Sequence, residues 1–101
     1  KLSEKGTTIW TMNADGSNQK QLIPNGGDNH HPAVTSDGRF VVFQSTRGGI
    51  SAIWRADVDG GNLVQLTHDE PAEQPALSPD GKWIVYLILS KRHESGDTSI
   101  L

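Results

Sequence analysis

The sequence predicts an all-β protein built from β-propeller blades, each a four-stranded antiparallel sheet. Three observations carry this expectation. Asp-Gly pairs recur at Asp15-Gly16, Asp37-Gly38, Asp59-Gly60 and Asp80-Gly81, at intervals of 22, 22 and 21 residues. Asp-Gly between apolar runs is a strong hairpin signal, because a tight turn needs positive φ. The hairpins alternate between two kinds, so the repeating unit is about 43 or 44 residues and holds two hairpins, the length of one blade. Finally, the apolar runs Phe40-Val41-Val42-Phe43 and 83–89 are continuous rather than alternating. Such runs need burial on both faces. A sheet held between two neighbours provides that burial, whereas the wet face of a two-sheet sandwich would preserve a period of two.

The elements follow in chain order. The first kind of hairpin reads Ile9-Trp10, Asp15-Gly16, Asn18, Gln21-Leu22, and 44 residues later Ile53-Trp54, Asp59-Gly60, Asn62, Gln65-Leu66. It predicts strands C and D of a blade at 7–12 and 18–23, and again at 51–56 and 62–67. The second kind reads Pro32-Ala33, Ser36, Asp37-Gly38 and Phe40 to Phe43, and 43 residues later Pro75-Ala76, Pro79, Asp80-Gly81 and Trp83 to Tyr86. It predicts strands A and B at 31–35 and 39–45, and again at 74–78 and 82–89. A further strand C begins near 98–101. The β-branched and aromatic content of the apolar runs, and their shortness, exclude helices there. The chain thus carries about two and a quarter blades. Residues 1–27 end one blade, 28–67 form a complete one and 68–101 form most of the next.

Composition narrows the function. Of 101 residues, 34% are hydrophobic and 21% charged, with a net charge of −3. That balance excludes a charge-driven nucleic-acid binder. The absence of cysteine excludes a disulfide framework, a thiolate metal site and a thiol nucleophile. The longest apolar run has seven residues, against roughly 20 for a membrane-spanning helix. No serine sits in a nucleophile elbow, no glycine-rich phosphate loop is present and no His-Glu-x-x-His pair occurs.

The repeat resembles a known family. Ser78-Pro79-Asp80-Gly81-Lys82-Trp83-Ile84-Val85-Tyr86, with the Ile-Trp…Asp-Gly-Gly-Asn…Gln-Leu-Thr pattern at 53–67, is similar to the TolB-type, WD-repeat-like β-propeller repeat. The resemblance extends over nearly the whole chain. The first copy departs from it, with Val34-Thr35-Ser36 where the family usually has Trp-Ser-Pro, but the retained Asp37-Gly38 predicts that the turn survives. The wording of 54–61 also resembles propellers fused to bacterial Ser/Thr kinases and transcriptional regulators. Other members precede peptidase domains or form the periplasmic partner of a peptidoglycan-associated lipoprotein. Members usually carry six or more blades. The resemblance therefore implies either a fragment of a longer propeller or a unit whose copies join to close a ring, with apolar strands such as 83–89 otherwise exposed.

Strand order places the candidate site. In a meander all four Asp-Gly turns share one end of the blades. The loops at 25–31, 47–50, 68–74 and 90–97 share the other. Strand A is innermost in propellers, which puts His30, His31, Glu73 and Gln74 near the channel mouth. Lys91, Arg92 and His93, with Glu94, form a second candidate binding patch. Asp28, His30 and His31 are weak metal candidates, because adjacent histidines of a strand point to opposite faces. Trp10, Trp54 and Trp83 are expected in the core.

The functional expectation is a non-catalytic binding or scaffold module of a larger, TolB-like, extracytoplasmic or periplasmic bacterial protein. It presents propeller loops to a protein, peptide or envelope-polymer partner, with no cofactor, no nucleic acid and no membrane insertion by this segment. Two alternatives stand beside it. One is the propeller of a lyase or peptidase-associated enzyme with a site at the channel mouth. The other is a self-assembling homo-oligomer that builds a propeller ring.

Overall fold

The computed structural model describes residues 6–24 and 26–89. The expected strand C near 98–101 and the patch at Lys91, Arg92 and His93 lie outside the described residues. Among the described residues, eight strands form three antiparallel sheets: β1 (Ile9–Thr11) with β2 (Lys20–Ile23); β3 (Asn29–Val34), β4 (Phe40–Ser45), β5 (Ala52–Asp57) and β6 (Val64–Gln65) in that order; and β7 (Ala72–Leu77) with β8 (Ile84–Ile88). The middle sheet is one full blade. The flanking sheets are the C–D half of the preceding blade and the A–B half of the following one. No helix among the described residues is long and apolar enough to cross a membrane.

The middle sheet is buried on both faces, as its continuous apolar run requires. Val41, Phe43 and Ala56 pack against Ile9, Leu22 and Ile23 of the preceding sheet, with Trp54 and Leu63 at the margin. On the other face Val42 and Ile53 pack against Ala72, with Leu66, Leu77 and Ile84 beside them. Alternate residues of β4 therefore serve two cores. Fully burying a side chain of this size contributes about 1.5–3 kcal/mol.

The tryptophans correct the sequence reading. Trp54 is half-buried against the first core, but Trp10 is 59% and Trp83 67% exposed. Trp10 stands in register with Trp54, so it presents the face that a preceding sheet would cover. No such sheet lies among the described residues. The outer face of β8 is open for the same reason, with Val85, Leu87 and Leu89 all exposed.

The turns are wider than two-residue hairpins. In the A–B kind, the Gly38 N–H donates to the Thr35 carbonyl (2.8 Å) and the Thr35 N–H to the Phe40 carbonyl (2.9 Å). The Asp37 carboxylate accepts from the Thr35 hydroxyl (2.7 Å) and the Arg39 N–H (3.0 Å). Ser78, Asp80 and Lys82 repeat those side-chain bonds at 2.6 and 3.0 Å. Only the glycine of each pair takes positive φ, +74° at Gly38 and +76° at Gly81. Thr35 thus does in the first copy what Ser78 does in the second, and the turn survives the departure from the family pattern. The C–D turns place both the glycine and a following asparagine at positive φ, +92° and +57° at Gly16 and Asn18, +94° and +52° at Gly60 and Asn62, and β6 begins only at Val64. At its end the Thr67 hydroxyl takes over pairing by accepting from the Ile53 N–H (3.0 Å).

Candidate functional site

β3 and β7 are the first strands of neighbouring sheets and lie against each other. They carry His30 and His31, and Glu73 and Gln74. His30, His31 and Gln74 are exposed and Glu73 is half-buried. Each strand is interrupted at the same place. Pairing with the next strand slips between His30 and Ala33, and again between Glu73 and Ala76. His31 and Gln74 occupy the left-handed region, at φ +54° and +55°, directly before Pro32 and Pro75. A bulge of this kind bends a strand and re-aims its side chains. Non-glycine residues at positive φ are uncommon and are held there by their surroundings.

The bulge changes the histidine argument. Strict alternation would send His30 and His31 to opposite faces. With the irregularity between them both rings are exposed, their centroids 6.1 Å apart and tilted by 47°. Asp28 does not complete a metal site with them: among the described residues no three His, Cys, Asp or Glu side chains form a group that could hold a metal ion. The pair offers hydrogen-bonding imidazoles on an exposed strand.

Buried amides position this edge. Gln44 of β4 is buried, and its side-chain oxygen accepts the Gln74 N–H across the sheet boundary (2.9 Å). That bond satisfies a backbone donor that the bulge has released from strand pairing. Asn29, only 2% exposed, ties β3 to the segment before β1. Its N–H donates to the Thr7 hydroxyl (2.8 Å), its side-chain amide to the Thr7 carbonyl (2.9 Å), and its carbonyl accepts from the Thr7 hydroxyl (2.7 Å). Ser51, 44 residues after Thr7, repeats part of this: its hydroxyl donates to the Ala72 carbonyl (2.9 Å). A hydroxyl just before strand C therefore clamps the next blade's strand A at both boundaries.

The loops around this edge meet at one end of the blades. The Asp28 N–H donates to the Thr46 hydroxyl (2.9 Å) and the Thr46 N–H to the Asp28 carbonyl (3.1 Å). Arg47 reaches the Pro24 carbonyl (3.2 Å) and the Asn29 side-chain oxygen (3.4 Å), with its guanidinium 5.8 Å over the Trp54 ring. Partial burial lowers its pKa below the usual guanidinium range, and the group stays charged. At the opposite end, the Val58 N–H donates to the Arg39 carbonyl (2.9 Å), joining a C–D turn to an A–B turn.

The loops at 26–31, 47–50 and 68–74 lie together as the sequence reading expected, and the loop at 90–97 falls outside the described residues; that reading missed Asn29, Gln44 and Arg47 as positioning residues. Asn29 and Gln44 are polar residues within strands, and their repeat counterparts are Ala72 and Leu87. The repeat comparison therefore pointed away from them. The hydroxyl clamp was missed as well, although its signal is present: Thr7 and Ser51 stand 44 residues apart.

Relatives agree with this geometry. A family model described as the TolB beta propeller domain matches residues 1–99. An uncharacterized protein of Agrobacterium fabrum is 32% identical over 78% of this chain and 27% of its own length. The Tol-Pal system protein TolB of Francisella tularensis is 36% identical over 68% of this chain and 16% of its own. The crystal structure of TolB from Acinetobacter baumannii superposes with a TM-score of 0.70 at 29% identity, covering 89% of this chain and 22% of that one. The chain thus spans less than a third of the length of each of these relatives. On its blade repeat, its sheet stacking and the match of its residues 1–99, the chain belongs to the TolB β-propeller domain family.

Proposed function

We propose that this segment is a non-catalytic binding module of a larger extracytoplasmic protein, and that it engages a protein or peptide partner through the inner strands of its blades. The observation that carries this reading is the matched pair of bulges. At the same register, 43 residues apart, β3 and β7 hold His31 and Gln74 at positive φ, and the polar residues around them are displayed at the surface. Rigid sheets presenting irregular, polar edges are where recognition tends to lie. Glu73 adds a carboxylate and His30 and His31 add imidazoles, so the edge suits a partner with both hydrogen-bond donors and acceptors.

The relative from Francisella tularensis belongs by name to a Tol-Pal system, which makes a peptidoglycan-associated lipoprotein the first partner to try. The test is the affinity of the parent protein for the purified lipoprotein of the same organism. Combined His30→Ala, His31→Ala and Gln74→Ala substitutions should weaken binding at least tenfold while the fold, followed by circular dichroism, is retained. Unchanged affinity in a folded variant would reject the inner edge as the binding surface.

A further inference from the structure

At the turn end, remote from the inner-edge loops, a cavity of about 370 Å³ opens between the middle sheet and the β7–β8 sheet. Its floor is apolar, formed by Phe40, Val42, Leu77 and Ile84. Its rim is charged. Arg55 projects from β5 and Lys82 from the turn before β8. Two rim carboxylates, Asp37 and Asp80, are held by their own turns. Each accepts a hydroxyl hydrogen bond and a backbone N–H on one oxygen. The turns themselves touch: a side chain at Gly81 would lie 2.7 Å from the Ser36 hydroxyl oxygen, so the glycine lets the two sheets close one wall.

The two cations are the available groups. The Arg55 guanidinium lies 4.6 Å from the centre of the Phe40 ring, which also has the Arg39 guanidinium at 5.1 Å. Among the described residues neither it nor the Lys82 ammonium has a hydrogen-bond or ion-pair partner. A guanidinium seated against an aromatic ring still has N–H groups for the planar, two-point recognition of a carboxylate. A pocket with an apolar floor and a few convergent polar groups, in this range of volume, is the usual form of a small-ligand site. The rim carboxylates suit a ligand that also carries N–H donors.

We propose that this inter-sheet cavity binds the free C-terminal residue of a peptide with an apolar side chain, its carboxylate on Arg55 and Lys82 and its side chain on the Phe40–Val42–Leu77–Ile84 floor. A terminal residue combines the three required features: a carboxylate, an adjacent amide N–H and an apolar body. The site stands apart from the inner-edge surface, and neither depends on the other.

The test is a titration of the isotope-labelled 101-residue chain with N-acetyl-L-leucine, followed by amide NMR shifts. N-acetyl-L-leucinamide, which lacks the charge, serves as the control. Binding should perturb the amides of Ser36, Arg55, Gly81 and Lys82 and leave His31 and Gln74 unmoved. The amide control should bind at least tenfold more weakly. Arg55→Gln should weaken the acid at least tenfold. Lys82→Gln, at an exposed turn position, should weaken it severalfold without touching the core. Equal binding of acid and amide would overturn the proposal, as would full affinity in both variants, shifts centred on the inner edge, or no saturable binding at millimolar concentrations.

Discussion

Replacing Gly60 by alanine, alongside the same replacement at Gly16, isolates the approach of one sheet to the next. Both glycines follow the aspartate of a C–D turn, at φ +94° and +92°. Alanine at either position meets the same backbone penalty, about 1–2 kcal/mol for an L-residue in the left-handed region. The surroundings differ. A Cβ at Gly16 would meet nothing within 4 Å. At Gly60 a Cβ would fall well inside contact distance of the Leu22 carbonyl oxygen, and 3.6 Å from the Leu22 Cδ1. The obstacle is backbone of β2 in the preceding sheet, so relief requires the sheets to separate. Forcing one extra methyl into a packed boundary costs about 1–3 kcal/mol. Gly60→Ala should therefore destabilise the protein by about 2–5 kcal/mol and Gly16→Ala by about 1–2. Urea denaturation reads the difference as separate midpoints with a common slope. Equal losses, within about 0.5 kcal/mol, would mean that the C–D turn does not press on the neighbouring sheet, and the stacking described above would fail.

Three further expectations follow from the same structure, each for the 101-residue chain by itself. Val42 and Val85 stand 43 residues apart in equivalent strands, yet one is 1% and the other 65% exposed; Val42→Ala should cost about 2 kcal/mol and Val85→Ala under about 0.5 in chemical denaturation. Acrylamide should quench Trp10 and Trp83 strongly while Trp54, resolved by Trp→Phe variants at the other two positions, stays protected. Hydrogen bonds from the Thr35 hydroxyl and the Arg39 N–H hold Asp37 below the ordinary 3.8, and Ser78 and Lys82 do the same for Asp80. A depressed carboxylate contributes stability that is complete above its unfolded value and is lost as pH falls through its folded value. Thermal stability should therefore decline below about pH 3.8, and combined Asp37→Asn and Asp80→Asn substitutions should flatten that decline.

The blade architecture was legible because its physics is local and repeated. Asp-Gly spacing and unbroken apolar runs each report on a turn or strand that forms the same way twice. Burial on both faces of β4 followed from Val41 and Val42 being adjacent and apolar, since neighbouring strand residues face opposite ways. The tryptophans were misread because register fixes which face a side chain occupies, while burial depends on whether another sheet lies there. Trp10 and Trp54 share a register and differ in their neighbours. The bulges escaped notice because nothing in His31-Pro32 or Gln74-Pro75 marks positive φ; a residue before proline ordinarily prefers an extended conformation. Gln44 could be recognised as a positioning group only once β7 was seen beside it, because its hydrogen bond to the Gln74 N–H spans thirty residues of chain.

Site-directed photocrosslinking tests most directly whether the inner edge is the binding surface. A photoreactive phenylalanine derivative would replace His31 or Gln74 on the inner strands, or Gly16 or Asp59 on the C–D turns, in the parent protein mixed with the peptidoglycan-associated lipoprotein. Crosslinks from positions 31 and 74, with none from 16 and 59, are the expected result. Crosslinks confined to the turn positions, or none from any of the four under conditions where the two proteins bind, would contradict the assignment.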